Sequence, residues 1–257
     1  MNRLELWNWG HLEASHNQAV KQECSMTPEA FSVEYGVPNA FIVSYAGNIT
    51  PPFDALAERL SCLQEIKWSI LGDAGTPLPD AELAYTEEII ELAKKYPNIT
   101  GGVIDDFYSP KRLERFSPTV LRKMQTKLSE NGLDFWAVLY EVHIAEENLK
   151  EYYDCFDGIT YWIWKQEHID DLDNCLEQFF MRFPDKRKML GIYIWDYARL
   201  VPMEQERFIK QLEKYFALLE ENKVEGLIIC SGCAGDANLE TNYFLKDYLK
   251  SKFDNIP

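Results

Sequence analysis

Acidic side chains close several apolar runs of this sequence, and they are its most evident chemical groups. Asp105 and Asp106 fall near the end of the run 101–108, Glu141 follows the run 135–140, and Asp196 follows the run 191–195. A carboxylate at the edge of an apolar strand costs free energy unless it has a partner or a task. Two carboxyl groups facing one another can divide the roles of acid and base. One donates a proton to a leaving oxygen while the other attacks or activates water, which is the usual way to split a glycosidic bond. A separation of about 5 to 5.5 Å would give retention at the anomeric carbon, and about 6.5 to 9.5 Å inversion. Asp106, Glu141 and Asp196 are the catalytic candidates. Because neighbouring strand residues point oppositely, only one of Asp105 and Asp106 is expected to face a site, with Asp106 preferred. Glu141 and His143 are expected on one strand face with Phe135, Ala137 and Leu139. A structural role stays open for each acid: loop amides can bond to Asp105 or Asp106, and Lys165 or Arg199 can pair with Glu141 and Asp196.

Aromatic residues cluster at the same run ends. Five of the seven tryptophans (Trp7, Trp9, Trp162, Trp164 and Trp195) fall on three of them. Flat aromatic faces beside carboxylates suit a sugar ring, which presents an apolar face and a polar edge. Trp9, Trp164, Trp195, Tyr108, Tyr197, His143 and Asp105 are therefore the substrate-binding candidates. The alternative is that these rings fill the interior of the fold, and strand parity, which puts Thr160, Trp162 and Trp164 on one face, lets only the last reach a rim.

The elements that must position these groups alternate along the chain. Strand-like runs occur at 3–9, 40–46, 66–72, 102–107, 133–141, 158–164, 189–197 and 224–231. Helical spacing fills 27–35, 52–64, 81–96, 118–131, 145–155, 169–183, 203–222 and 241–253. Ser117-Pro118 gives one helix a cap and a first-turn proline, and Asn131-Gly132 ends it. Strand starts recur about every 32 residues, the length of one strand, one helix and two loops. Eight such units imply an α/β fold, a (β/α)8 TIM barrel over residues 1–257 as one domain, with its site on the loops after the strand C-termini. An open doubly wound sheet would carry a glycine-rich fingerprint after its first strand, where this chain reads Trp7-Asn8-Trp9-Gly10-His11.

Composition narrows the partners. Lys and Arg number 26 against 42 Asp and Glu, a net charge of −16, so nucleic acid is not expected. The longest apolar stretches, about six residues, are far short of a membrane span. No signal peptide is visible, which favours the cytoplasm, or secretion if a leader has been trimmed. The six cysteines read as free thiols, and Cys230-x-x-Cys233 lacks the second pair a zinc site needs. No metal and no cofactor is expected, and the partner is a carbohydrate or other small polar ligand.

The segments 102–107, 136–140, 159–165, 191–197 and 225–233 resemble those of a family of bacterial (β/α)8 barrels described as glycoside-hydrolase-like, to which no activity is assigned. The resemblance spans strands four to eight and implies the barrel and a carbohydrate-directed, hydrolase-type site. The acids after strands four and seven are also placed as in the large retaining glycosidase clan. That clan has Glu at both positions and Asn before the first; this chain has Asp106 and Asp196, with Asp105 before Asp106. The chitinase-type run of spaced aspartates ending in Glu is absent. Three alternatives stay open. One is a sugar-binding barrel without catalysis. Another is a metal-dependent sugar isomerase or epimerase built on Asp106, Glu141, His143 and Asp196. The third is a phosphate site on Ser231-Gly232-Cys233-Ala234-Gly235.

Overall fold

The computed structural model of the chain describes residues 5–230 and 232–253. In chain order its elements are β1 (Leu6–Gly10), α1 (Asn17–Val20), α2 (Pro28–Tyr35), β2 (Asn39–Ile42), α3 (Asp54–Arg59), β3 (Ile66–Leu71) and α4 (Thr86–Lys95). They continue as β4 (Ile99–Ile104), α5 (Pro110–Arg115), α6 (Pro118–Glu130), β5 (Asp134–Tyr140), α7 (Leu149–Tyr153), β6 (Gly158–Trp162) and α8 (Leu172–Arg182). The last are β7 (Arg187–Tyr193), β8 (Trp195–Asp196), β9 (Val201–Pro202), α9 (Gln205–Glu220), β10 (Gly226–Cys230) and α10 (Glu240–Phe253). Eight parallel strands close a ring in the order β1-β10-β7-β6-β5-β4-β3-β2, with helices around it. This is the (β/α)8 TIM barrel that the repeat length implies.

Both faces of a barrel strand are covered, so nearly every strand residue is buried and the apolar runs carry little alternation. Side-chain contacts reveal which face is which. Trp9 on β1 meets Trp162 on β6 edge to face at 5.1 Å, although these strands are not neighbours in the ring, so both rings lie inside the barrel. Phe41 touches Trp7, Trp9 and, at 6.2 Å, Trp136 of β5. On the outer face Phe135 packs on Phe156 at 4.5 Å, and Tyr161 stacks on Phe179 of α8 at 4.2 Å.

Such large interior rings fit because the next strand supplies a glycine. Trp136 stands in register with Gly158, and Trp162 with Gly191. A Cβ on either glycine would lie 2.1–2.5 Å from atoms of the neighbouring indole ring, a clash. At the opposite, N-terminal end of the barrel, Lys67 reaches Asp134 at 2.7 Å, and Arg187 bridges Asp134 and Glu225.

The helix signals hold where they were sharpest. Ser117 caps α6 by accepting from the Val120 N–H, Pro118 opens the helix, and Gly132 follows it at φ 73°. Several expected boundaries are corrected: the run 40–46 ends as a strand at Ile42, and the helices expected at 52–64 and 81–96 shorten to Asp54–Arg59 and Thr86–Lys95. The run 189–197 is not one strand: β7 stops at Tyr193, and Trp195–Asp196 pairs antiparallel with Val201–Pro202. The run 133–141 stops at Tyr140, where Glu141–His143 turn into a 3-10 helix. The helix expected at 145–155 shortens to Leu149–Tyr153. Arg3 and Ser231, at the outer ends of two expected strands, lie outside the described residues. No helix among the described residues is long and apolar enough to cross a membrane.

Gly191→Ala is expected to lower stability by about 1–3 kcal/mol through overpacking against Trp162. Trp162→Phe should return part of that loss in the double variant, a coupling that urea unfolding of the four proteins would measure.

Candidate functional site

The chain leaves β4 through the acidic pair, and it does so by breaking the strand conformation. Asp105 keeps the ladder, its N–H donating to the Leu71 carbonyl at 3.0 Å. Asp106 turns to φ 42°, a left-handed conformation that aspartate tolerates better than most residues. Three interactions hold this turn. The Asp106 N–H donates to Asp105 Oδ1 at 2.7 Å. Asp106 itself accepts from the Tyr140 hydroxyl at 2.6 Å and from the Ala74 N–H at 2.8 Å, one partner for each carboxylate oxygen. Beneath the turn, the buried Arg112 guanidinium donates to the carbonyls of Asp105, Gly72 and Asp73, tying the ends of β3 and β4 together.

The expectation that one acid faces the site while its neighbour turns away is therefore corrected, because both line the same cavity. Asp105 is the inward residue by strand parity, and the left-handed turn brings Asp106 back beside it. Burial drives the Asp105 carboxyl well above the usual carboxylate range, and the nearby Asp106 adds to this; Arg112 opposes it without reversing it. Asp105 thus keeps its proton where an exposed aspartate has lost one.

The cavity is about 240 Å³, and every barrel strand or the loop after it contributes to its wall. Trp9 and Trp162 form its floor, both almost wholly buried, and the half-buried Trp164 stands at its edge. Tyr140 and Tyr193 keep their protons, since burial pushes both phenols well above their usual value. On the opposite side, His11 donates from Nδ1 to the Val43 carbonyl at 2.9 Å. His16 Nδ1 hydrogen-bonds the Tyr197 hydroxyl at 2.7 Å. Burial lowers the pKa of both histidines, so they are neutral and His11 Nε2 is an acceptor. A second lobe of about 450 Å³ shares Asp106, Tyr140 and Trp164 with the first.

The expected site residues divide between these two spaces and the loops behind them. Asp105, Asp106, Trp9, Trp164 and Tyr197 line the deep cavity. Tyr108 and His143 line the outer lobe, their rings 5.1 Å apart. Glu141, Asp196 and Trp195 line neither. Glu141 is 5% exposed and accepts from the backbone N–H groups of Trp164 (2.7 Å) and Lys165 (3.2 Å) and from His168 (2.8 Å). Asp196 accepts from Gln166 Nε2 at 2.6 Å and from the Arg199 N–H at 3.0 Å. The alternative of side-chain ion pairs with Lys165 or Arg199 is not what these acids adopt: Glu141 bonds to backbone N–H groups and the His168 imidazole, Asp196 to an amide and a backbone N–H, and the Arg199 guanidinium pairs with Glu167.

Parity explains the displacement of Glu141. The inward residues of β5 are Trp136, Val138 and Tyr140, and Phe135 starts the outward set that ends in Glu141. Tyr140, Tyr193 and His16 are the site residues the sequence reading missed. For the two tyrosines Gly158 and Gly191 were the available signal, since a glycine inside a barrel marks a large inward ring on the adjacent strand and so sets the parity of β5 and β7; His16 had no such signal. Asp106, Glu141, His143 and Asp196 are not gathered into a metal site: among the described residues no three His, Cys, Asp or Glu side chains are grouped to hold an ion. The glycine-rich segment after β10 is a buried 3-10 turn over Gly232–Ala234, with Gly232 close against Asn8. Ser231 is outside the described residues. No disulfide joins the described cysteines.

No protein-family model and no curated protein matches the chain. Among solved structures it is similar to the spore cortex-lytic enzyme SleL of Bacillus cereus, with a TM-score of 0.59 at 12% identity over 95% of this chain and 74% of that one. It is similar to a chitinase from Chromobacterium violaceum, with a TM-score of 0.57 at 10% identity over 95% and 98% of the two chains. The tryptophan synthase A-subunit of Pyrococcus furiosus also matches, at 0.52 and 10% identity over 96% of each chain. The likeness establishes a shared barrel, one that glycan-cleaving enzymes use and others use too.

An aspartate that is neutral in the fold but ionises near pH 3.9 when unfolded destabilises the protein progressively as pH rises above that value, until the folded carboxyl itself ionises. Asp105→Asn removes the effect. The variant's unfolding free energy is expected to gain on the parent's as pH rises above about 4, with a slope of up to about 1.4 kcal/mol per pH unit, followed by urea unfolding across a pH series. A difference that does not change with pH would place Asp105 among ordinary carboxylates.

Proposed function

We propose that this barrel acts on carbohydrate as a glycoside hydrolase, with Asp105 as the proton donor and Asp106 as the carboxylate that faces the developing charge. The observation that carries the reading is the pair itself: two adjacent carboxyl groups turned into one aromatic cavity, with burial favouring the protonated form of Asp105. Asp106 has a hydrogen-bond donor on each oxygen, the arrangement that suits an ionised carboxylate. Environments that separate the behaviour of two acids are the means by which one site holds both an acid and a base.

In the reaction, the Asp105 proton passes to the glycosidic oxygen as its bond to the anomeric carbon breaks, and the leaving sugar departs as an alcohol. Positive charge then grows on the ring held against Trp9 and Trp162, and the Asp106 carboxylate stabilises it. Water adds to the anomeric carbon and its proton returns to Asp105, so the net change is hydrolysis. Tyr140 is a positioning residue, because its hydroxyl fixes the orientation of Asp106. Glu141 acts through Trp164, whose backbone it holds, and Asp196 through Gln166 and the loop that carries Tyr197. The similar barrels named as a chitinase and a cortex-lytic enzyme support a glycan as the substrate class.

Asp105→Asn is expected to slow hydrolysis of oligosaccharides by about 100-fold or more while binding persists. The same variant should lose much less on aryl glycosides, whose leaving groups depart without a proton. Equal losses on both substrates would remove Asp105 from the role of acid. Binding without turnover in the parent protein would identify a sugar-binding barrel instead.

A further inference from the structure

The geometry points to a site for the non-reducing end of a saccharide chain: one sugar residue enters the deep cavity, and the rest of the chain leaves between the loops after β3, β4 and β5. This deepens the carbohydrate reading above and rests on it.

Size sets the first limit. The deep cavity, at about 240 Å³, falls below the roughly 300–1,000 Å³ of sites that enclose drug-sized ligands. It has room for a single sugar ring. Below it the chain of a polymer has nowhere to go, because Trp9 and Trp162 meet edge to face across the barrel.

The walls are unequal. On the side of β1 and β7, the hydrogen bond between His16 and Tyr197 joins the loop after β1 to the loop that follows β8. Leu200 and Ala19 line the cavity on the same side. Burial lowers the His16 pKa, so the His16–Tyr197 latch does not depend on a charge on the imidazole. The other side is open. There the outer lobe of about 450 Å³ begins at Asp106, Tyr140 and Trp164, the three residues it shares with the deep cavity. It continues into a groove of about 630 Å³ with which it shares Ala74 and Ser109. The three spaces thus run in file toward one exit.

Charge fixes the direction of the chain. Asp73, Asp105 and Asp106 all line the deep cavity, whereas among the described residues Asp106 is the one acidic side chain lining the outer lobe. The sugar whose anomeric carbon becomes cationic is stabilised where the carboxylates are, so it occupies the deep end. The residue released in the second position is then outside, and no sugar precedes the one inside. Cleavage falls at the junction marked by Asp106 and Trp164.

The test uses the full chain with gluco-, N-acetylgluco- and manno-oligosaccharides of two to six residues, each with its non-reducing end free or carrying a benzylidene block. Products are followed by chromatography from the earliest times, and binding is measured by calorimetry on Asp105→Asn. The free chains should yield the monosaccharide first. The blocked chains should bind and react at least about 100-fold less well. Tyr197→Ala, which opens the latched wall, should return at least about tenfold of that loss. Longer fragments appearing first, or blocked chains handled as well as free ones, would overturn the chain-end inference and leave the carbohydrate reading standing. No binding and no cleavage of any saccharide in the panel would overturn the carbohydrate reading, and this inference with it.

Discussion

Side chains on a strand alternate between its two faces, and the mouth of this barrel depends on a departure from that rule at the end of β4. At Asp106 the backbone takes φ 42°, and a carboxylate that alternation would send outward is returned to the cavity beside Asp105. A non-glycine residue in that region carries strain of order 1 kcal/mol or more, and it persists where the surroundings over-determine it. Here the Tyr140 hydroxyl, the Ala74 N–H and the Asp105 carboxyl all bond to Asp106. Arg112 fixes the carbonyls underneath. Strain held in this way at a cavity wall is what links the local conformation to the chemical role proposed for Asp106.

The interior provides the second half of that link. Trp136 and Trp162 occupy space that Gly158 and Gly191 leave free, and Trp9 closes the middle of the barrel against Trp162. The packed rings give the cavity an apolar floor. An apolar floor removes water from around Asp105, and the loss of water is the main reason its proton stays on. Core packing and acid strength are in this sense one property of the same residues.

The repeat of strand and helix made the barrel legible, because strand, helix and two loops have a nearly fixed combined length. Ser117, Pro118 and Gly132 likewise marked the ends of α6 through their own backbone preferences. The acids of β4 were legible as a candidate site because a charge at the end of an apolar strand is costly, and they do line one cavity. Side-chain direction was not. In a strand buried on both faces the apolar pattern carries no phase, so Glu141 was placed inward when Tyr140 holds that position. Asp196 was displaced by a different cause: the two-residue pairing of Trp195–Asp196 with Val201–Pro202 is set by the loop's own hydrogen bonds, which no periodicity in 189–197 announces.

The central claim is that Asp105 holds a proton inside the cavity. Carbon-13 NMR of the side-chain carboxyl groups, followed through a pH titration of the parent protein, Asp105→Asn and Asp106→Asn, addresses it directly. The account predicts one aspartate resonance that stays protonated well above about pH 4 and is missing from Asp105→Asn. A titration in which every aspartate carboxyl ionises in the usual range, with no resonance of that kind assigned to Asp105, would contradict it.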